Sequence, residues 1–252
     1  MSGDNPCMPD PVLTPPGELA ERLRGPGYAV LGAPDVARWS GVPLAELQAL
    51  SERWSDLPAD NYLRDGGHYR RRRHASYRIE GDQVSAVPHR AHWQPVDYNA
   101  LHGGLERWFE PIDPALSASP PWLSVLRALG TAASALRGLQ PWFAEAHQFR
   151  IDTTDGIGRP TPEGAHRDGV DLVAVFLVAR AGIKGGETRV FEAEGPAGIR
   201  FTLTEPWSLM LLDDARVIHE STPIQPLEAA RVGHRDTLVV TLRRGGFQDP
   251  PR

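Results

Sequence analysis

The chain has 252 residues, of which 40% are hydrophobic and 23% charged, so it can bury a large core and has the composition of an ordinary globular protein. Its formal net charge of -5 disfavours nucleic acid and anionic membranes as main partners. The single cysteine, Cys7, excludes an internal disulfide framework and predicts a cytoplasmic protein. With no apolar run of about 18 residues and no signal-like start, we expect neither membrane insertion nor secretion.

Mostly helical patterns occupy the N-terminal half of the chain. Residues 1–16 contain five prolines and no periodic pattern, which predicts a flexible leader ahead of one domain over 17–252. Within 17–140, apolar residues at helical spacing and Pro/Gly boundaries predict a helical support layer with two short strands. The predicted helices cover 17–24, a stretch beginning near Pro43, 98–109 and 121–136, and the strands cover 28–31 and 69–79.

A period of two replaces the helical period from Glu145 onward, where His147, Phe149 and Ile151 alternate with polar neighbours. Short strand-like segments with Gly/Pro turns follow at close spacing. They cover 170–179, 187–192, 200–204, 208–212, 216–219 and 236–242. This pattern predicts an α+β fold: a double-stranded β-helix (a cupin-like jelly roll) over about 145–244, with the N-terminal helices packed on one sheet.

Three residues of the predicted jelly roll form a candidate metal site: His166 and Asp168 in Gly-Ala-His-Arg-Asp-Gly, and His219 in Val-Ile-His-Glu. Residues i and i+2 of a strand or tight turn point the same way, so His166 and Asp168 can share one ion while Arg167 points away. Two imidazoles and one carboxylate make the facial triad that holds non-haem Fe(II) and leaves positions open for a co-substrate and O₂. We therefore predict iron at these three residues.

A His-x-Asp triplet is short enough to occur by chance, and the chain has a second one, His234-Arg235-Asp236. The surroundings favour the first copy. An apolar run and about 50 residues of strand-and-turn pattern lead from Asp168 to His219, whereas only 16 residues, none of them histidine, follow Asp236. The alternative is a surface glycine loop at the triplet and a hydrogen-bonded core histidine at position 219.

Arg235 begins an apolar strand 16 residues after His219, and Thr237 follows it on the same predicted face. An arginine fork donates two parallel N–H bonds to a carboxylate, and a threonine hydroxyl can donate beside it. We predict that the pair holds the distal carboxylate of 2-oxoglutarate. The alternative is a permanent ion pair between Arg235 and a structural carboxylate such as Asp213 or Asp214.

Several longer motifs accompany these residues. They are Pro162-Glu-Gly-Ala-His-Arg-Asp-Gly-Val-Asp, Gly185-Gly-Glu-Thr, Leu212-Asp-Asp-Ala-Arg-Val-Ile-His and Gly233-His-Arg-Asp-Thr-Leu-Val-Val-Thr, with Tyr69-Arg-Arg-Arg-Arg and His147-Gln-Phe-Arg-Ile upstream. In this order they resemble the Fe(II)/2-oxoglutarate dioxygenase family that contains the bacterial L-isoleucine hydroxylases. The resemblance covers about residues 25 to 244, and His234 departs from it where a tyrosine is commoner.

The resemblance implies that the chain hydroxylates an unactivated C–H bond of a free L-amino acid, aliphatic or cyclic, using Fe(II), 2-oxoglutarate and O₂. The carboxylate of such a substrate needs its own buried cation. Among Arg70–Arg73, strand alternation lets only one pair face a cavity. We take Arg70, Arg72, Arg150 and Trp93 as candidate substrate contacts. A solvated strand face is the alternative for the arginine cluster.

Two other functions fit the same residues. A cupin-type metalloenzyme that does not use 2-oxoglutarate would share the fold and the metal but would leave Arg235 and Thr237 without a task. A metal-free jelly-roll binding module would keep the fold alone. The predicted partner is a small amino-acid substrate, with no nucleic acid and no membrane.

Overall fold

The computed structural model describes residues 10–99, 101 and 103–251. The α-helices in that part of the chain are α1 (Leu19–Arg24), α2 (Ala33–Ser40), α3 (Leu44–Leu50), α4 (Pro114–Ser117) and α5 (Pro120–Arg137). The first strands are β1 (Tyr28–Leu31), β2 (Arg70–Glu80), β3 (Gln83–Ala86), β4 (Trp142–Asp152), β5 (Leu172–Ala181) and β6 (Ile183–Gly185). The later strands are β7 (Thr188–Glu192), β8 (Gly198–Phe201), β9 (Leu209–Asp213), β10 (Val217–Ser221), β11 (Ile224–Pro226) and β12 (His234–Arg244).

Seven strands form the larger sheet, in the order β1-β9-β5-β12-β4-β2-β3, and neighbouring strands are antiparallel. A smaller sheet has the order β10-β7-β8, and β11 pairs with β6. Val190 of β7 and Phe201 of β8 pack against Val173 and Val175 of β5, so the smaller sheet covers one face of the larger one. The two layers form a double-stranded β-helix, which confirms the predicted fold class.

The other face of the larger sheet carries the N-terminal helices, also as predicted. Ala144, Ala174 and Leu238 of this face share one core with Leu126 and Leu129 of α5. Burying a leucine side chain in such a core stabilises the fold by about 1.5–3 kcal/mol. The helical layer therefore supports the sheet from behind and leaves the space between the two sheets for the site.

Two tryptophans link the helical layer to strand β12. The rings of Trp54 and Trp207 meet edge to face, with centroids 6.4 Å apart, and both side chains are fully buried. Nε1 of Trp54 donates to the carbonyl oxygen of Thr237 at 3.1 Å, and Nε1 of Trp207 donates to Oγ of Ser51 at 3.0 Å. The backbone of β12 beside Arg235 is thus held from the helical side.

One predicted helix is wrong. The described residues of 98–109 form turns, and Arg107 pairs with His92 in an isolated bridge. A side chain at Gly103 would place its Cβ 2.5 Å from the carbonyl oxygen of Asn99, so this close turn requires glycine. Sequence periodicity also failed to indicate α2 and β3.

The start of the chain is described only in part. Residues 1–9, which include Cys7, lie outside the described residues. Thr14 is buried, and its N–H donates to the carbonyl oxygen of Val30 at 2.7 Å. The flexible leader and the boundary at residue 17 stay predictions. Among the described helices, none has the length and hydrophobicity needed to cross a bilayer.

Candidate active site

The three predicted metal ligands come together between the two sheets. His166 and Asp168 lie in the loop between β4 and β5, and His219 lies on β10. One ligand atom from each residue lies within 4.8 Å of the others. The carboxylate of Asp168 is 3.9 Å from Nε2 of His166 and 3.8 Å from Nε2 of His219. This spacing suits one cation held by two imidazoles and a carboxylate, the donor set that binds Fe(II).

Hydrogen bonds and nearby charges orient both histidines. The backbones of His166 and His219 form an antiparallel bridge with two N–H···O bonds of 3.0 Å. Nδ1 of His166 lies 2.9 Å from the carbonyl oxygen of Gly164, which can only accept, so Nδ1 carries the proton and Nε2 is free to bind a cation. Burial lowers the pKa of His166, but the carboxylates of Asp168 and Glu163 outweigh burial and the net shift is upward. Burial, assisted by His166, lowers the pKa of His219.

A buried carboxylate from another part of the chain holds the metal-ligand loop. Asp214 directly follows β9 and accepts the backbone N–H groups of Asp168 (3.0 Å), Gly169 (2.8 Å) and Val170 (3.0 Å). Burial and the charge of Asp168 raise the pKa of Asp214 to about 6, although the three N–H bonds act in the opposite direction. Arg167 points away from the metal ligands, and its Nε donates to the carbonyl oxygen of Asp214 at 2.6 Å. Asp214 therefore fixes the loop from which Asp168 projects.

A second group of buried histidines, His74, His92 and His147, lies nearby with ligand atoms within 4.8 Å of one another. Nδ1 of His147 lies 2.8 Å from Nη2 of Arg72, which can only donate, so the lone pair of the neutral ring is already used. Oε1 of Glu145 lies 3.1 Å from Nε2 of His74 and 3.3 Å from Nδ1 of His92. Burial lowers the pKa of all three histidines, that of His92 to about 4. We interpret the group as three neutral histidines packed around one carboxylate, that of Glu145.

One cavity of about 130 Å³ contains the metal ligands. Three neighbouring strands turn one face toward it. The side chains that line the cavity from these strands are Arg70 and Arg72 of β2, His147, Phe149 and Ile151 of β4, and Arg235, Thr237, Val239 and Thr241 of β12. Because alternate residues of a strand point to opposite faces, their neighbours in sequence lie on the helical side or in solvent.

Arg235 is a buried cation that has no carboxylate partner among the described residues. Its side chain is 4% exposed, and its Nε has no hydrogen-bond partner in the described part of the chain. Burial, followed by the charge of Arg180, lowers its pKa to about 10. The alternative partners are engaged elsewhere: Asp213 pairs with Arg137, and Asp214 accepts the loop N–H groups. Arg235 and Thr237 thus line a place where an anion would be stabilised.

The arginine cluster divides as strand alternation requires. Arg70 and Arg72 are buried and line the cavity, whereas Arg71 and Arg73 lie on the opposite face, where Arg71 is 3.6 Å from Asp152 and Arg73 donates to backbone carbonyls. Asp60 is close to both inward arginines, at 2.7 Å from Nε of Arg70 and 3.7 Å from Nη1 of Arg72. One carboxylate therefore accompanies two guanidinium groups, and the wall retains an excess of positive charge.

Aromatic rings hold Arg72 in place, and an amide joins Arg107 to the metal ligands. The guanidinium of Arg72 lies 3.7 Å from the ring centroid of Phe109 and 4.4 Å from that of Phe149. Nη2 of Arg107 donates to Oε1 of Gln94 at 2.9 Å, and Nε2 of Gln94 donates to Oδ1 of Asp168 at 3.2 Å. Gln94 thus joins the cationic wall to a candidate metal ligand.

Residues 51–241, more than half of the chain, match the sequence profile of a family described as 2OG-Fe dioxygenase. The chain belongs to this family. Its cofactors are therefore Fe(II) and 2-oxoglutarate, as predicted. No curated protein gives a significant match.

Solved structures resemble the dioxygenase over nearly its whole length. A bsmA homolog from Methylobium petroleophilum is 51% identical, with a TM-score of 0.91 over 96% of this chain and 98% of that one. IDO from Bacillus thuringiensis is 17% identical, with a TM-score of 0.73 over 93% of this chain and 100% of that one. The Fe(II)/(alpha)ketoglutarate-dependent dioxygenase TqaL is 18% identical, with a TM-score of 0.68 over 93% and 90% of the two chains. At 17% and 18% identity, the similarity to IDO and TqaL shows a shared fold alone.

Two predicted substrate contacts of the dioxygenase lie away from the cavity. Arg150 is on the opposite face of β4 from Phe149, and its Nε and Nη2 bind the carboxylate of Asp236 at 2.8 Å and 2.7 Å. Trp93 does not line the cavity either, whereas His92 and Gln94 on both sides of it do. In both segments, alternate side chains reach the cavity and the predicted residue is the one between them.

Sequence reasoning missed four residues around the dioxygenase site: Gln94, Arg107, Glu163 and Asp214. Three of them lie beside or inside motifs that carry other predictions: Gln94 follows Trp93, and Pro162-Glu-Gly-Ala-His and Leu212-Asp-Asp contain Glu163 and Asp214. A polar residue within three positions of a candidate ligand was the available signal for Glu163.

Replacing Asp214 with asparagine should weaken metal binding by about 10- to 100-fold, the usual effect of losing a group that orients a ligand. The amide keeps one oxygen, but its NH₂ group cannot accept a loop N–H. Titration of the apoprotein with Mn²⁺ or Co²⁺ measures the change. The control is Asp152→Asn, because Asp152 accepts the N–H of Thr154 in another loop. Equal metal affinities of the Asp214 variant and the wild type would contradict the role.

Proposed function

We propose that the chain is an Fe(II)- and 2-oxoglutarate-dependent hydroxylase of a free L-amino acid, aliphatic or cyclic. His166, Asp168 and His219 would hold the iron, because they combine the donor set with the spacing that one ion needs. Arg235 would bind the 5-carboxylate of 2-oxoglutarate, with the Thr237 hydroxyl beside it. When bound, Fe(II), 2-oxoglutarate and O₂ supply an oxidative decarboxylation that is coupled to C–H hydroxylation.

The observation that carries the proposal is that the buried Arg235, in the same cavity as the metal ligands, has no carboxylate partner among the described residues. A guanidinium that has lost its water is costly unless an anion accompanies it. In the described residues Arg180 is the charged group that acts on it, and that charge is positive. A dicarboxylate co-substrate would place one carboxylate at Arg235 and could offer its other end to the metal.

The substrate end of the cavity supports an amino acid. Arg70, Arg72 and Arg107 are each at most 6% exposed, and each has a buried N–H nitrogen without a hydrogen-bond partner among the described residues. A substrate carboxylate would satisfy such donors. The chain's own motifs resemble those of free amino-acid hydroxylases, which favours the same substrate class.

One experiment separates this function from the two alternatives. The purified chain is incubated aerobically with 2-oxoglutarate and a panel of free L-amino acids, with and without Fe(II). We expect succinate to form only with Fe(II), and one amino acid to gain the mass of one oxygen. A metalloenzyme of another kind would release no succinate, and a metal-free binding module would show no dependence on iron. If succinate forms but no amino acid is oxidised, the chain is still a dioxygenase, and the proposal that its substrate is an amino acid is contradicted.

The arginine cluster gives a prediction in four variants. Arg70→Ala and Arg72→Ala should raise KM for the amino acid by about 10-fold or more, because each removes charged hydrogen bonds worth about 1.5–3 kcal/mol. Arg71→Ala and Arg73→Ala are the matched controls and should change this KM less than about 2-fold, as exposed ion pairs contribute little. KM for 2-oxoglutarate should stay unchanged in all four. Four equal effects would contradict the division of the cluster.

A further inference from the structure

Glu163 is a carboxylate of the cavity wall that has no arginine or lysine partner among the described residues. It lies three residues before His166, its side chain is 12% exposed, and its Oε2 is buried without a hydrogen-bond partner in the described part of the chain. Its Oε1 is 3.6 Å from Nε2 of His166, and no arginine or lysine among the described residues lies within ion-pair distance. A buried carboxylate oxygen without a partner is stabilised when a ligand in the cavity brings a positive group or a hydrogen-bond donor to it.

Arg107 is a cation that lines the same cavity and forms no ion pair among the described residues. Its side chain is 2% exposed, its Nε has no partner among the described residues, and its Nη2 donates to an uncharged amide, that of Gln94. Burial, followed by the charge of Arg70, lowers its pKa to about 10, while the charges of Asp60, Glu163 and Glu145 act in the opposite direction. Glu163 and Arg107 therefore line the same cavity and attract each other electrostatically, but they do not form an ion pair.

An α-amino acid carries an ammonium and a carboxylate on one carbon, so one ligand can satisfy both residues. A 2-hydroxy acid would leave Glu163 without a cation, and an N-acylated amino acid would do the same because an amide nitrogen is uncharged. We propose that Glu163 accepts the substrate ammonium while Arg107 binds its carboxylate. This inference rests on the proposed function and narrows it to substrates with a free α-ammonium group.

The position of Glu163 next to His166 also defines the competing role. A carboxylate 3.6 Å from a metal-binding nitrogen can coordinate the ion itself. In that case the loss of Glu163 would weaken metal binding and would affect all organic ligands alike. As an ammonium acceptor, Glu163 would leave metal binding intact and discriminate among ligands by their nitrogen.

The test uses the full chain loaded with Mn²⁺ and 2-oxoglutarate, so that binding is measured without turnover. Calorimetry compares three ligands: the amino acid that the wild type hydroxylates, its 2-hydroxy analogue and its N-acetyl derivative. We expect Glu163→Gln to weaken binding of the amino acid by about 30-fold or more, the usual loss when a buried charge pair is broken, and to spare the other two ligands. Glu106→Gln, the same change at an exposed neighbour of Arg107, should alter nothing.

Arg107→Lys completes the comparison, because it should weaken all three carboxylate ligands together. Unchanged amino-acid affinity in Glu163→Gln overturns the inference. So does a parallel loss for the amino acid and the 2-hydroxy acid, or a loss of Mn²⁺ affinity with selectivity intact. If the wild type decarboxylates 2-oxoglutarate but binds and oxidises no amino acid, the proposed function itself is contradicted. That result is distinct from the outcomes that contradict only the role of Glu163.

Discussion

Replacing His219 with alanine should lower succinate formation by more than about 100-fold, since losing a metal ligand costs more than losing a group that orients one. The fold should survive. The backbone bridge to His166 does not depend on the side chain, and Nδ1 of His219 has no hydrogen-bond partner among the described residues that truncation would leave unpaired. We expect the melting temperature of the metal-free protein to shift by less than about 4 °C, which corresponds to about 1 kcal/mol in a chain of this size.

The control for this variant is His68→Ala, since His68 is an exposed histidine that does not line the cavity. Its activity and Mn²⁺ affinity should equal those of the wild type. His219→Ala with wild-type turnover would show that another residue binds the metal. His166→Ala should repeat the loss of activity, because His166 supplies another of the three ligand atoms that lie within 4.8 Å of one another.

Arg235→Lys should raise KM for 2-oxoglutarate by about 10- to 100-fold, because lysine keeps the charge but loses the fork, and a charged hydrogen bond is worth about 1.5–3 kcal/mol. At saturating 2-oxoglutarate, kcat should change little, since the interaction is present before the reaction as well as during it. KM for the amino acid should also be unaffected. Initial rates measured at varied 2-oxoglutarate and a fixed amino-acid concentration give KM for 2-oxoglutarate and kcat.

Arg150→Lys is the matched control, because Arg150 is on the neighbouring strand and makes the same kind of two-bond contact, but with Asp236 and outside the cavity. Its KM for 2-oxoglutarate should match the wild type. If Arg150→Lys raised this KM and Arg235→Lys did not, the co-substrate site would have to be moved.

Residues of one short segment were predictable because local geometry alone relates them. His166 and Asp168 are two positions apart, as are Arg235 and Thr237, and residues at i and i+2 of a tight turn or a strand point the same way. The residues that support them were not predictable in this way. Asp214 holds a loop 44 to 46 residues away in sequence, a contact that only the pairing of β5 with β9 creates.

The arginine cluster lies between these cases. Alternation required one inward pair, but the choice of pair depends on which face of β2 meets the helices. Tyr77 and Ile79 pack into the helical core, and Arg71 and Arg73 share their face of the strand. Arg70 and Arg72 consequently face the cavity. The wrong helix at 98–109 has a similar cause, because the turn at Gly103 contacts backbone that an apolar pattern does not reveal.

The bridge between His166 and His219 has a consequence for the life of the protein in a cell. Two of the three ligands are joined through their main chains, and the third projects from a loop tied down by Asp214. These contacts do not involve the ion, so they favour a binding geometry that is kept while the ion leaves and returns. Such a protein would equilibrate with the available pool of divalent metals, and its occupied fraction would follow the iron supply. Competition from other transition metals would then be reversible by exchange instead of requiring new synthesis.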